Sequence, residues 1–162
     1  MKKYFFLFAL LGTVVLSACL KNDDSQLDDD KKIREQFTKD SILMSNFIVA
    51  EGIDTSGVRG GLLYEIITPG TGNHVYNANS QVTVKYEGRL LNGTVFDKTT
   101  NDAVTFRLGQ LVSGWQIGIP LIQKGGKIRL IVPSYYGYGT ATQAKIPANS
   151  VLDFDIELID VK

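Results

Sequence analysis

The 162 residues carry 17 basic and 17 acidic side chains, one histidine and one cysteine, with 44% hydrophobic and 21% charged residues. This length suits one domain with an appendage, and the composition is that of a globular chain. A single cysteine excludes an intramolecular disulfide, and a single histidine excludes a His/Cys metal cluster and leaves a hydrolytic triad without its base.

Residues 1–18, MKKYFFLFALLGTVVLSA, place Lys2 and Lys3 before an apolar run from Tyr4 to Leu16 that closes on small residues. The pattern predicts an export signal, since the run is shorter than the about 20 residues that a membrane-spanning helix needs. Leu16-Ser17-Ala18-Cys19 follows. It resembles the lipobox of bacterial lipoproteins, in which the cysteine is lipid-modified and becomes the mature N-terminus. Cys19 is therefore expected to anchor the chain to a membrane of the cell envelope, the outer membrane first, with the periplasmic and surface faces both open. Without residues 1–18 the chain has 15 basic against 17 acidic side chains, a balance that argues against nucleic acid as a partner.

Residues 19–30 contain five aspartates and little to bury, which predicts an acidic, solvated tether. An acidic patch directly behind a lipidated cysteine resembles the export tag of some surface-exposed lipoproteins; a plain spacer is the other reading. From Lys31 to Ala50 the spacing turns helical, with Ile33, Phe37, Met44, Phe47 and Ile48 on one stripe and Gly52 placed as a stop. That stripe must pack on the domain or on a second copy of itself. Asp54 to Gly61, DTSGVRGG, reads as a flexible joint, so 31–60 is assigned to a helix and linker. His74, in TGNHVYNANS, reads as a solvated loop histidine.

After Gly61 the chain reads as strand and turn. LLYEIIT is bounded by Pro69-Gly70, VTVKYEG alternates, VTFRLG puts Val104, Phe106 and Leu108 on one face, and KIRLIVP does so with Ile128, Leu130 and Val132. In VLDFDIELIDV, Leu152, Phe154, Ile156 and Leu158 alternate with Asp153, Asp155 and Glu157, as in a strand covered on one side and wet on the other. SGWQIGIPLIQKGG predicts the one helix of this domain, capped by Ser113, with Trp115, Ile119 and Ile122 on one face. Pro120 should end or kink it.

VTVKYEGRLLNGTVFD, FRLGQLVSGWQIGIPLIQKGGKIRLIVPSYYGYG and IPANSVLDFDIELIDV, in this order, resemble the FKBP-type peptidyl-prolyl cis-trans isomerase domain over residues 61–162. The helix and linker ahead of it, behind a lipobox, are similar to the organisation of exported bacterial members. The resemblance implies an α+β fold, an antiparallel half-barrel sheet wrapped around one short helix. It also implies a cup for the proline ring of a substrate, with Trp115 as floor, Tyr86, Phe96, Phe106 and Phe154 as walls, and Leu111, Val112 and Ile146 as rim. The Val112 N–H and the Tyr138 hydroxyl would donate to substrate carbonyls, and Asp97 would be the pocket acid. Proline-containing polypeptides are the implied substrates, macrolides such as rapamycin or tacrolimus the implied ligands, and no cofactor or metal is required. The segment after Asp97 lacks the arginine that many members place near this acid, and Val104 stands where a second wall aromatic is common.

The chemistry needs no nucleophile. Rotation about X-Pro is opposed by amide resonance worth about 20 kcal/mol and takes about 10 to 100 s unaided. A dry apolar cup that fits the twisted amide better than either planar form lowers that barrier by differential binding. A carboxylate at such a site needs a hydrogen-bond donor, and Tyr86 and Tyr138 are the candidates. Two other functions stay open on the residues alone: a binding or chaperone module that keeps the cup without useful turnover, and proton transfer on a steroid-like ligand by an acid and a tyrosine.

Overall fold

The computed structural model describes residues 23–162. The expected export signal and Cys19 lie outside these residues. The chain divides into two compact units, 1–32 and 33–162. In the first, the described residues begin helix α1 (Asp23–Glu51). The helix thus starts earlier than the hydrophobic pattern predicts, and the acidic segment expected as a tether is helical from Asp23, its described side chains exposed. Asp and Lys at helical spacing sustain exposed turns without an apolar stripe, as in the Lys32–Asp29 pair at 3.4 Å.

In the second unit α1 ends at Glu51, before Gly52 as expected, and seven antiparallel strands follow: β1 (Gly57–Arg59), β2 (Leu62–Thr68), β3 (Gln81–Leu90), β4 (Val95–Lys98), β5 (Val104–Arg107), β6 (Lys127–Val132) and β7 (Leu152–Val161). The supposed flexible joint contains β1, because its backbone pairs with β2 from Gly57 to Arg59. The sheet order is β1-β2-β6-β7-β3-β4, with β5 sharing the β4 edge of β3. Strand β3 is thus held along its whole length by β7, while β5 takes Gln81–Val84 and β4 takes Glu87–Arg89.

The register aligns the core in rows. Ile128, Ile156 and Tyr86 form one row across β6, β7 and β3, and Leu130, Phe154 and Gly88 the next. Helix α2 (Ser113–Gly118) closes this concave face. Trp115, Ile119 and Ile122 are buried in one cluster with Val84, Leu130, Phe154 and Leu158. Ser113 is the first helical residue and does not cap; Val112 holds the cap position, with no side-chain cap bond. Pro120 falls in a 3-10 turn, Ile119–Leu121, where the α-helix has already ended, which spares it the clash of an interior proline. Val104 is exposed and only Leu108, beyond the strand, is fully buried on the face expected for both, since β5 is a short edge strand.

The convex face is not wet. Met44 of α1 is buried with Ile131 and Val151, and Phe47, Ile48 and Leu63 pack around them. The apolar stripe of α1 thus finds its own domain, although Ile33 stays exposed. Phe37 lies against Gly61, whose φ of +90° and close approach to the ring both demand the absence of a side chain. Asp153, predicted to face water, is 2% exposed. Arg129 grips it from Nε and Nη2 at 2.9 Å each and Arg89 from Nε and Nη2 at 3.1 and 3.0 Å. Arg129 in turn lies 5.7 Å from the Phe47 ring centre, so the arginine that neutralises Asp153 also joins the sheet to the helix.

Candidate functional site

The cup is built where β3, β4, β5 and β7 meet α2. Trp115 is 4% exposed and three aromatic side chains meet it edge to face, Tyr86 at 5.1 Å, Phe154 at 5.4 Å and Phe106 at 6.4 Å between ring centres. Phe96 extends the group through Phe154 at 5.6 Å. Such crossed rings bury a large apolar area in fixed geometry. Gly88 permits this: a Cβ there would stand 2.6 Å from Phe96 and 2.8 Å from Phe154. The Trp115 indole nitrogen is buried without a hydrogen-bond partner among the described residues.

Beside this cluster opens a cleft of about 260 Å³ lined by Phe96, Asp97, Tyr138, Gln143, Ala144, Lys145 and Ile146. Four of these were singled out from the sequence: Phe96, Asp97, Tyr138 and Ile146. Gln143, Ala144 and Lys145 were not. They stand in a loop without hydrophobic periodicity and reach the cleft because Gln143 and Ile146 pair backbone to backbone in a tight turn, at 2.9 and 3.1 Å. Leu111 and Val112 pack against the same core as Trp115. Gln116 Nε2 donates to the Leu111 carbonyl at 2.7 Å, and the Val112 carbonyl receives the Trp115 and Gln116 N–H groups. The geometry leaves the Val112 N–H without a protein acceptor among the described residues.

Of the two tyrosines considered as donors to Asp97, the structure selects one. The Tyr86 hydroxyl donates to Asp97 Oδ2 at 2.6 Å. Burial, then the hydrogen bond and the charge of Asp97, push the Tyr86 phenol well above its ordinary pKa. Tyr138 is 38% exposed and its phenol is raised too, by burial first and by Asp97 second. Both hydroxyls keep their protons at neutral pH, but only Tyr138 has its proton uncommitted to Asp97 in this geometry. Asp97 itself is exposed at the mouth, so water and Tyr86 together supply its hydration.

His74 lies apart from the cleft lining and is not a plain solvated side chain. Its ring nitrogen Nε2 is 2.9 Å from Ser80 Oγ, and its ring meets Tyr76 edge to face at 4.9 Å. Tyr76 in turn donates to the Ile122 carbonyl at 2.7 Å, and burial pushes its phenol up to about 12. The histidine ring fastens the 71–80 loop to itself, and the Tyr76 hydroxyl and the His74 N–H, which donates to Gln123 Oε1 at 3.0 Å, tie that loop to residues 122–123. Among the described residues no cluster of three His, Cys, Asp or Glu could hold a metal.

The architecture is thus an open antiparallel sheet folded over one short helix, with an aromatic cluster beside a cleft that carries Asp97 and Tyr138. Residues 72–159 match the family described as FKBP-type peptidyl-prolyl cis-trans isomerase, and the chain belongs to that family. It is similar to the protein FkpA of Buchnera aphidicola from Schizaphis graminum, with 40% identity over 88% of this chain and 56% of the relative. Identity to FkpA of Escherichia coli K12 is 36% over 95% of this chain and 54% of that protein. The crystal structure of E. coli FkpA superposes with a TM-score of 0.68 at 34% identity, over 85% of this chain and 64% of that one. A peptidyl-prolyl cis-trans isomerase from Pseudomonas syringae gives 0.65 at 33% identity, over 77% of this chain and 95% of its own. The chain spans little more than half the length of the FkpA proteins it matches.

Proposed function

We propose that the protein accelerates cis-trans rotation about X-Pro bonds in exported polypeptides by binding the twisted amide, with no covalent intermediate. The observation that carries this reading is the Tyr86–Asp97 pair at 2.6 Å set at the edge of the Trp115-centred cluster. Membership of the isomerase family supports it.

The proline ring is apolar and would enter against Phe96, Ile146 and the aromatic group beneath. Twisting the amide weakens its carbonyl dipole, so the loss of water in the cup costs the transition state less than the planar ground state. A ten-thousand-fold acceleration requires only about 5.5 kcal/mol of such preference. Tyr138 and the Val112 N–H are the groups free to donate to peptide carbonyls on either side of the bond. Asp97 fixes the negative end of the local field, while Tyr86 holds its carboxylate in one orientation.

We extend the proposal to location and ligands. The leader and the Leu16–Cys19 sequence support export and lipid anchoring at the cell envelope. The apolar cup with two uncommitted donors supports binding of macrolides such as rapamycin or tacrolimus, which should compete with peptide. The function is tested with the purified protein in a protease-coupled assay on a chromogenic X-Pro peptide. Acceleration proportional to protein and abolished by excess macrolide is expected. Peptide binding without acceleration would instead establish a holding module, and no binding at all would refute both the cup and its ligand class.

A further inference from the structure

A polar link on the far side of the domain has no part in the cup as described. Asp40, in the middle of α1, is 0% exposed and forms no ion pair among the described residues. Its Oδ2 accepts from the Ser134 N–H and from the Ser134 hydroxyl, both at 2.7 Å, and its Oδ1 accepts from Gln36 Nε2 at 2.7 Å. A carboxylate removed from water survives only where hydrogen bonds replace its hydration, and bonds of this length to an ionised acceptor are the strong kind.

Ser134 begins the 3-10 turn Ser134–Tyr136, through which the chain leaves β6 on its way to Tyr138. Pro133, ahead of it, offers no side-chain cap. The free N–H at the start of the turn therefore finds its acceptor on another element. On its other side Ser134 is bound as well: its carbonyl receives the N–H of Gly137 at 3.0 Å and of Gly139 at 2.8 Å. Those glycines are the two neighbours of Tyr138. One serine thus connects a buried acid of the helix to the N–H groups of both glycines that flank the cleft phenol. Phe37, less than a turn before Asp40, adds an edge contact to Tyr136 at 6.2 Å.

We propose that Asp40 is a positioning residue for the isomerase site: by clamping Ser134 it fixes the loop that presents Tyr138 to the cleft opposite Asp97. The proposal rests on the isomerase reading and extends it to a residue outside the 72–159 segment that matches the family. Asp40 then supports the working site from α1, although the helix as a whole lies outside the cleft. Beyond Tyr138 the loop is fastened again, where the Gly139 carbonyl accepts the Asn149 N–H at 2.7 Å. Asp40 therefore sets the near end of the segment that carries the phenol, and small misplacements of a contacting group cost rate steeply.

The test uses Asp40→Ala and Asp40→Asn, each alone and combined with Tyr138→Phe, in the otherwise intact protein. Turnover of an Ala-Leu-Pro-Phe chromogenic peptide gives kcat and KM, and the fluorescence of Trp115, the single tryptophan, gives peptide affinity. Met44→Ala, one turn further along α1 and packed on Ile131 and Val151, is the control that weakens helix packing at a different point. Asp40→Ala should lower kcat/KM about tenfold in folded protein, a loss of the size expected for one displaced donor, while Met44→Ala stays within about twofold. Asp40→Asn keeps one oxygen acceptor and should fall between.

In the Tyr138→Phe background the further loss from Asp40→Ala should shrink to less than about twofold, because the clamp acts through that phenol. Unchanged kcat/KM in Asp40→Ala, or a fully multiplicative loss in the double variant, overturns the proposal. Should Asp40→Ala not fold, Asp40→Asn carries the same cycle. Should the native protein bind peptide without turning it over, the isomerase reading alone fails; the ordering of Trp115-detected affinities then decides the positioning role, with equal affinities refuting it.

Discussion

The Tyr86 hydroxyl reaches the Asp97 carboxylate diagonally across the β3–β4 ladder, at 2.6 Å. Gly88, two residues along β3, stands directly opposite Asp97, and the diagonal neighbour lies within reach of a long side chain. Tyr86 also meets Trp115 edge to face, so the phenol that holds the acid is itself held by the centre of the aromatic cluster.

This pairing predicts which substitutions act together. Asp97→Val and Tyr86→Phe should each lower kcat/KM by about tenfold to a hundredfold, equivalent to about 1 to 3 kcal/mol for one lost hydrogen-bond partner. The double variant should lose much less than the product of the singles, because both remove the same interaction. Tyr138→Phe should be independent of Asp97→Val within about twofold. Complete loss of activity in Asp97→Val alone would indicate obligatory acid-base chemistry; rates from the protease-coupled assay decide.

Gly88→Ala should disturb the cup more than its size suggests. The new methyl would press on Phe96 and Phe154, and overpacking costs typically about 1 to 3 kcal/mol. The expected result is a moderate fall in the urea midpoint with weaker peptide binding by Trp115 fluorescence. Wild-type affinity in this variant would show that Phe96 and Phe154 do not shape the peptide site.

Asp153 and Asp155 should differ sharply although both are aspartates on one strand. Asp153 is buried between Arg89 and Arg129, while Asp155 is 44% exposed and bonds Arg89 at 2.5 Å. For Arg129 the hydrogen bond to Asp153 leads in raising the pKa, and for Arg89 burial opposes a net rise set by Asp155 and Asp153. Asp153→Ala leaves two half-buried guanidinium groups undercompensated and should cost about 3 to 5 kcal/mol. Asp155→Asn should cost about 1 kcal/mol or less. Equal shifts in chemical denaturation would contradict the assignment.

The raised phenols give a pH dependence on the alkaline side. Below the ordinary tyrosine pKa of about 10, folded and unfolded chains both hold these protons and stability is level. Above it the unfolded chain loses them first, since Tyr76 is raised to about 12 and Tyr86 and Tyr138 are raised too. The unfolded state then binds fewer protons and stability falls as pH rises. Urea midpoints should therefore be flat up to about pH 10 and decline beyond, less steeply in Tyr86→Phe. The same steepness in that variant would exclude Tyr86 as a contributor.

Cys19→Ser should release the protein from membranes if the cysteine is lipidated. One acyl chain binds only marginally, so stable anchoring implies more than one. Fractionation with mass spectrometry of the native chain is the measurement, and a variant that still pellets, together with an unmodified Cys19, would refute anchoring.

Alternation and spacing were enough to find β2, β3, β5, β6, β7 and the short helix before Pro120, but not β1, whose three residues read as part of a joint. Leu152, Phe154, Ile156 and Leu158 could only be buried together, because a period of two sends alternate side chains to one face. The meeting of Trp115, Tyr86, Phe106 and Phe154 was legible only through family motifs, since it depends on the strand register of the sheet and on where α2 crosses it. What covers the second face was not legible. Asp153 reads as a wet residue from local pattern, and only the packing of Met44 and Phe47 on the sheet, with two arginines brought in from β3 and β6, makes it a buried charge. The choice of Tyr86 over Tyr138 as partner of Asp97 depends on strand pairing between residues 11 positions apart. The bond from Asp40 to Ser134 spans 94 residues, and local periodicity carries no information over that distance; it exists because helix and sheet bury one another's faces.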